Sequence, residues 1–144
     1  MNSKRKGADK NGFLKIVIHD IPPSNNKYLG NSNSHFKYHQ DKERWNFMIK
    51  AALKEKPERP YRFSDVSIVY FFPDNRRRDP DNYSGKFILD PLVREGIIAD
   101  DSFEHISLKI SKGGVDKSMP RTEITVEENM LKNLQIGFGS DQNG

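Results

Sequence analysis

The chain has 144 residues and no cysteine, with 24 lysines and arginines against 20 aspartates and glutamates. Its length fits one compact domain, since domains of about 100 to 150 residues are the most common. The absence of cysteine excludes disulfides, thiolate metal sites and cysteine nucleophiles, so any metal must bind to oxygen or nitrogen. The net charge of +4 favours an anionic partner such as nucleic acid, although an ordinary solvated surface explains it equally well.

Both ends of the sequence are polar. We predict a disordered basic tail over residues 1–12 and a disordered polar tail over residues 128–144, around a single domain over residues 13–127. The basic start lacks the apolar stretch of a signal peptide, and no apolar run approaches the roughly 20 residues of a membrane span. We therefore expect a cytoplasmic protein with no membrane partner.

The first predicted elements are a strand, a helix and a second strand. Residues 13–19 alternate as a strand, and two prolines with turn-forming residues interrupt the pattern at 21–26. Asp41 is a candidate cap for the helix. Residues 66–72 are β-branched and aromatic, which predicts the strongest strand of the chain. The apolar face of the helix is predicted to carry Trp45, Met48, Ile49, Ala52 and Leu53.

A second helix and two further strands complete the predicted fold. The helix should begin at Asp81 or Asn82 and end near Gly96, and the proline at position 91 should kink or divide it. Strands are predicted over residues 106–111 and 122–126, on either side of a glycine-containing loop.

The element order is therefore β-α-β-α-β-β. Strands linked through helices should run parallel with right-handed crossovers, whereas the last two strands, joined by a short loop, should form a hairpin. The predicted fold class is α+β (mixed α/β), a single domain with a mixed sheet and helices packed on it.

The loop after the second strand carries the candidate site. Proline disfavours a helical conformation for the residue before it, so the Asp-Pro-Asp sequence at 79–81 should be extended, with Asp79 and Asp81 pointing the same way. Two adjacent carboxylates are unfavourable unless a cation lies between them, and Mg²⁺ prefers oxygen ligands. The alternative is a helix start at which Asp81 or Asn82 is only a cap.

Basic residues flank this acidic pair. Arg76, Arg77 and Arg78 precede it and are candidate DNA-binding residues that contact phosphates, or else a solvated loop. Lys86 follows it, four residues before Asp90, where its cation would either face a phosphate in the transition state or form an ordinary i,i+4 ion pair.

A second acidic pair, Asp100 and Asp101, follows the predicted second helix. Consecutive residues of an extended chain point to opposite faces, so only one of the two can join the first pair. We favour Asp101. The alternative is that both aspartates are turn residues between helix and strand.

Taken together, these residues resemble the RusA-like family of Holliday junction resolvases. The sequence Pro22-Pro23-Ser24-Asn25 is similar to the proline-rich entry of that family, while three residues separate Asn82 from Lys86, one more than the pattern leads us to expect. The matching positions are Asp79-Pro80-Asp81-Asn82, Lys86, Leu89-Asp90, Leu92, Gly96 and Asp100-Asp101.

The resemblance implies a homodimeric, Mg²⁺-dependent endodeoxyribonuclease of DNA recombination and repair, with Mn²⁺ able to substitute, that binds branched DNA and makes paired nicks in four-way junctions. It implies that Asp79, Asp81 and Asp101 bind the metal and that Lys86 is essential, so these four are the predicted catalytic residues. Two other hypotheses remain: a noncatalytic junction-binding protein on the same scaffold, and a protein-interaction domain whose acids are caps. Metal-dependent nicking separates the enzyme from the first, and absence of DNA binding supports the second.

Overall fold

The computed structural model describes residues 12–30 and 32–135, so most of the predicted basic tail over residues 1–12 and the end of the predicted polar tail, residues 136–144, lie outside it. The predicted order β-α-β-α-β-β and the α+β class are confirmed. In chain order the elements are β1 (Phe13–Ile18), a 3-10 helix (Asn25–Tyr28), α1 (Ser34–Ala52), β2 (Ser64–Phe71), a 3-10 helix (Pro80–Asn82), α2 (Lys86–Arg94), β3 (Ile106–Lys112) and β4 (Arg121–Glu128).

The four strands form one mixed sheet in the order β1-β4-β2-β3. β2 and β3 are parallel, as predicted for strands joined through a helix, and β4 is antiparallel to both of its neighbours, β1 and β2. The predicted hairpin between the last two strands is therefore wrong, because β2 lies between β3 and β4.

The connection from β3 to β4 crosses the carboxyl end of β2. The N–H of Gly113 donates to the carbonyl of Tyr70 at 2.8 Å, and the N–H of Asp116 donates to the carbonyl of Phe72, also at 2.8 Å. A Cβ on Gly113 would lie 2.5 Å from the ring of Phe71, so a larger residue there would require the ring to move. The glycine that suggested a hairpin turn instead permits a close crossing over the neighbouring strand.

The core lies on one face of the sheet. Alternate residues of each strand point to this face, and both helices pack there because they share its buried cluster. Burying one face in this way leaves a two-layer structure in which the helices cover the same side of the sheet. The most deeply buried side chains of the cluster are Ile16, Trp45, Ile49, Val66, Ile68, Ile88, Leu92, Ile97, Ile98, Ile124 and Val126.

Helix α1 begins earlier than predicted. Its N-cap is Asn33, so Asp41 is not the cap but a buried residue in the middle of the helix. Asp41 accepts hydrogen bonds from Lys27 Nζ at 2.8 Å and from the Tyr28 hydroxyl at 2.7 Å. Burial alone would raise the pKa of Asp41, but these hydrogen bonds and the charges of Lys27 and Arg44 outweigh it and lower that pKa. Asp41 therefore fastens the segment before the helix to the helix itself.

Helix α2 begins at Lys86 rather than at residue 81 or 82. Tyr83 separates it from the preceding 3-10 helix, with a nonhelical backbone at φ −131° and ψ 65°. Gly85 precedes the helix at φ 81°, a left-handed conformation that favours glycine, and a Cβ there would lie 3.0 Å from Ile68 Cδ1. Pro91 lies within the nine-residue helix without dividing it.

The chain continues to contact the fold beyond β4. Residues 130–135 are helical. The Phe63 N–H donates to Asn133 Oδ1 at 2.7 Å, and the Asn129 N–H donates to the Phe63 carbonyl at 2.8 Å. The segment over residues 128–135, predicted to begin a polar tail, thus packs against the start of β2. None of the helices in the described part of the chain is long and apolar enough to cross a membrane.

Candidate functional site

The predicted acidic pair lies on the loop that leaves the carboxyl end of β2. Asp79 is extended, at φ −97° and ψ 134°, as expected for a residue before proline. Pro80 then begins the 3-10 helix, so the Asp-Pro-Asp sequence is not extended throughout as predicted. The fixed φ of proline suits the first position of a helical turn, which explains the change of conformation at that residue.

Both carboxylates of the pair are accessible to solvent. Asp79 Oδ1 lies 3.4 Å from Arg77 Nε in an exposed contact. Among the described residues no hydrogen bond or ion pair engages the carboxylate of Asp81. Mg²⁺ is commonly bound by one or two carboxylates together with water and phosphate oxygens. The donor set of Asp79 and Asp81 fits such an ion.

A segment far away in sequence supports this loop. Asn25 Nδ2 donates to the backbone carbonyl of Asp81 at 3.2 Å, across 56 positions of the chain. Asn25 begins the 3-10 helix that Lys27 and Tyr28 fasten to Asp41. The proline-rich entry includes Asn25, but the sequence indicates no role for it, since nothing local shows that two loops so far apart will meet.

The three consecutive arginines have different environments. The side chains of Arg76 and Arg77 are 79% and 89% exposed, whereas that of Arg78 is 13% exposed. Arg78 stacks 4.2 Å from the centroid of Phe72 and pairs with Asp74 at 2.9 Å. Hydrogen bonds from the Arg76 N–H and the Arg78 side chain lower the pKa of Asp74. The guanidinium groups of Arg76 and Arg77 are therefore accessible from solvent, while Arg78 stabilises the conformation of the loop.

Lys86 is the first residue of α2, and its side chain is 60% exposed. Its Nζ lies 3.7 Å from Asp90 Oδ2, so the i,i+4 ion pair considered from the sequence is present. A cation at the amino end of a helix is unfavourable with respect to the helix dipole. The place of Lys86 in the helix therefore does not itself stabilise the helix.

Asp101 lies elsewhere. It is exposed in the turn between α2 and β3 and borders a groove of about 890 Å³ that also contains Phe63 and Ile106, beside the start of β2. Asp79 instead lies beyond the other end of β2. This strand has eight residues and is about 23 Å long, so its two ends are far apart. Within residues 12–30 and 32–135, no three histidine or acidic side chains are grouped to hold a metal. One chain keeps Asp79 and Asp81 on a single loop but does not bring Asp101 to them.

A tyrosine near this loop has an unpaired hydroxyl that the sequence did not reveal. Tyr70, at the end of β2, packs its ring against Phe72 and Tyr83, with centroids 5.9 and 5.7 Å away. Its hydroxyl is buried and has no hydrogen-bond partner in the described part of the protein.

Comparison with protein families gives a match over most of the chain. The family model described as endodeoxyribonuclease RusA matches residues 20–127, which is more than half of the chain. The matched range contains the entry segment, the acidic loop, Lys86 and Asp101. Comparison with curated proteins gives no match.

Proposed function

Because the chain belongs to the RusA family of endodeoxyribonucleases, which resolve Holliday junctions, we propose that it is a cytoplasmic, Mg²⁺-dependent endonuclease that resolves four-way junctions by paired nicks in DNA recombination and repair. One observation carries this proposal: two accessible carboxylates, Asp79 and Asp81, share a loop with the exposed cation of Arg77. Acids that bind a metal next to cations that bind phosphates are what phosphodiester hydrolysis requires.

Five residues on and beside the loop have proposed roles. Asp79 and Asp81 would hold Mg²⁺, or Mn²⁺ in its place, and the ion when bound would supply an activated water and neutralise phosphate charge. Lys86 places its ammonium against the scissile phosphate, where negative charge grows in the transition state. Arg76 and Arg77 hold flanking phosphates and so set the position of the DNA without reading its sequence.

A homodimer would explain the position of Asp101. Since Asp101 and the acidic loop are at opposite ends of β2 in one chain, we propose that Asp101 of the partner subunit completes each metal site. The surface beside Asp101 supports a contact there, because Phe103, which lines the same groove, is 96% exposed. A twofold dimer would also present two equivalent sites to the two equivalent strands of a junction.

The decisive experiment incubates the purified chain with a synthetic four-way junction and a linear duplex of the same sequence, with Mg²⁺, with Mn²⁺ and with a chelator. We expect paired nicks in the junction alone, and only with a metal. Asp81→Asn should bind the junction at least as tightly and lose nicking by orders of magnitude, while Glu43→Gln, a matched change of an exposed acid on α1, should nick normally.

Other results would contradict the proposal. Nicking by Asp81→Asn at the wild-type rate would show that Asp81 does not bind the catalytic metal. Junction binding without nicking in any divalent metal would favour the noncatalytic junction-binding protein. Absence of DNA binding would favour a protein-interaction domain.

Mixing two inactive variants tests the shared site. If Asp101 of the partner subunit completes each site, a dimer of one Asp81→Asn chain and one Asp101→Asn chain retains one intact site and makes single nicks. If each site lies within one chain, both sites of that mixed dimer are defective and nicking does not return. An Asp101→Asn protein that nicks normally by itself would remove Asp101 from the site altogether.

A further inference from the structure

A small aromatic cavity adjoins the acidic loop. Its volume is about 170 Å³, and it lies between the proline-rich entry segment and the start of α2. Aromatic rings of Tyr38, Tyr70 and Tyr83 line it, together with the polar side chains of Asn25 and Lys86. The cavity therefore combines ring surfaces with hydrogen-bonding groups next to the proposed catalytic lysine.

Tyr70, one of the residues that line this cavity, has a hydroxyl without a hydrogen-bond partner within residues 12–30 and 32–135. Tyr70 is only 2% exposed, and its hydroxyl has no partner among the described residues. Burial raises the pKa of Tyr70, so the hydroxyl stays protonated and can both donate and accept a hydrogen bond. A buried polar group without a partner is destabilising, and phenylalanine would fill the same space without that cost. An unpaired hydroxyl at this place is explained if a ligand supplies the partner.

The surroundings indicate what kind of ligand it is. Rings that line a cavity stack on planar groups, and nucleobases stack on tyrosine in this way. Lys86 at one wall and Arg77 on the adjoining loop supply cations for the phosphates on either side of such a base. An aliphatic or neutral peptide ligand would pack against the rings but would offer no anionic group to these two cations.

We propose that this cavity binds a DNA base that is unstacked at the branch point beside the scissile phosphate, with the Tyr70 hydroxyl bonded to the edge of that base. The proposal rests on the proposed function, since it assigns the cavity to the same substrate. Its consequence is that the protein prefers certain bases beside the cut. Tyr70 is then a specificity-determining residue for the reaction.

Tyr70→Phe tests the role of the hydroxyl. Nick positions are mapped on a set of four-way junctions that differ in the bases flanking the branch, and the ratio of cutting at the best and second-best sites is compared. Tyr70→Phe should lower this ratio about 3- to 10-fold, the effect of one hydrogen bond, and should unfold at an equal or higher urea concentration. Tyr28→Phe is the matched control for stability, because its hydroxyl is already bonded to Asp41 and its loss should lower the unfolding midpoint.

A second measurement does not depend on cleavage. Wild-type protein is bound without divalent metal to junctions that carry 2-aminopurine at each position flanking the branch. A base that leaves the helix and stacks on tyrosine changes the fluorescence at one such position, and Tyr83→Leu should reduce that change.

The outcomes separate the two proposals. If the wild-type protein nicks junctions but Tyr70→Phe keeps the same site preference, or no 2-aminopurine responds, the base site is wrong and the nuclease assignment stands. A lower unfolding midpoint for Tyr70→Phe, comparable with that of Tyr28→Phe, would also overturn the base site by showing an internal partner for the hydroxyl. If the junction is bound and 2-aminopurine responds without any nicking, the nuclease assignment fails and the base site stands.

Discussion

Replacing Lys86 with alanine separates a catalytic cation from a structural one. The side chain is 60% exposed, and its ion pair with Asp90 spans 3.7 Å. An i,i+4 pair of this kind contributes about 0.3–0.5 kcal/mol, and exposure to solvent screens it further. The unfavourable position of a lysine at the amino end of a helix offsets it by a similar amount. The free energy of unfolding of Lys86→Ala should therefore lie within about 0.5 kcal/mol of the wild-type value.

Cleavage should respond far more strongly than stability. Loss of one well-placed electrostatic group costs about 2.7 kcal/mol in the transition state, which is a rate decrease of roughly 100-fold. The assay is single-turnover nicking of a four-way junction, with the protein in excess and the junction fully bound. Urea unfolding of the same preparations measures the stability.

Asp90→Asn is the matched control, because it removes the same ion pair and keeps Lys86. It should nick at close to the wild-type rate. If Lys86→Ala nicks within about threefold of the wild type, Lys86 is not needed for catalysis. If Asp90→Asn is as slow as Lys86→Ala, Lys86 acts through the ion pair. Either result refutes its proposed role.

Further predictions concern the arginines and Asp41. Changing Arg76 and Arg77 to alanine should reduce the slope of log affinity against log salt by about 2, the value for two lost phosphate contacts. An unchanged slope would show that these arginines do not contact phosphates. Arg78→Ala should instead destabilise the fold by about 1 kcal/mol, measured by urea unfolding, because its guanidinium stacks on Phe72. Asp41→Asn should be less stable than the wild type at pH 7. This difference in the free energy of unfolding should fade as the pH falls below about 4. The reason is that the pKa of Asp41 is lowered from 3.8 in the folded protein, so the stabilisation by its carboxylate is lost on protonation. A constant difference down to about pH 2 would contradict this.

Local patterns were sufficient to predict most of the elements. The β-branched run in β2 and the helical spacing of Trp45, Ile49 and Leu53 were both confirmed, because each reflects a periodicity that burial on one face imposes. Element starts were less accurate. Asp41 has the residue type of a cap, but its carboxylate is occupied by Lys27 and Tyr28, which no local pattern shows.

The strand order could not be predicted from local patterns. A short loop usually joins adjacent antiparallel strands, so the glycines before β4 favoured a hairpin. In this fold β4 instead pairs with β1 and β2, and its buried residues Thr122, Ile124 and Val126 pack in the centre of the sheet. The close approach of Gly113 to Phe71 depends on that pairing, so its meaning appears only in three dimensions.

The separation of Asp101 from the acidic loop, by contrast, follows from a prediction that was correct. In a parallel pair joined by a helix, the helix returns the chain to the end of the sheet at which the first strand began. Asp79 follows β2, so it must lie at the carboxyl end of that strand. Asp101 follows α2 and precedes β3, so it must lie at the other end, as the pairing of Ser64 with Ile106 requires. Spacing along the chain suggested three acids around one metal, but the predicted parallel crossover already implied that one chain holds only two of them together. If Asp101 is a third ligand, it must therefore come from a second copy of the chain, so a variant that prevents dimerisation should also lose nicking.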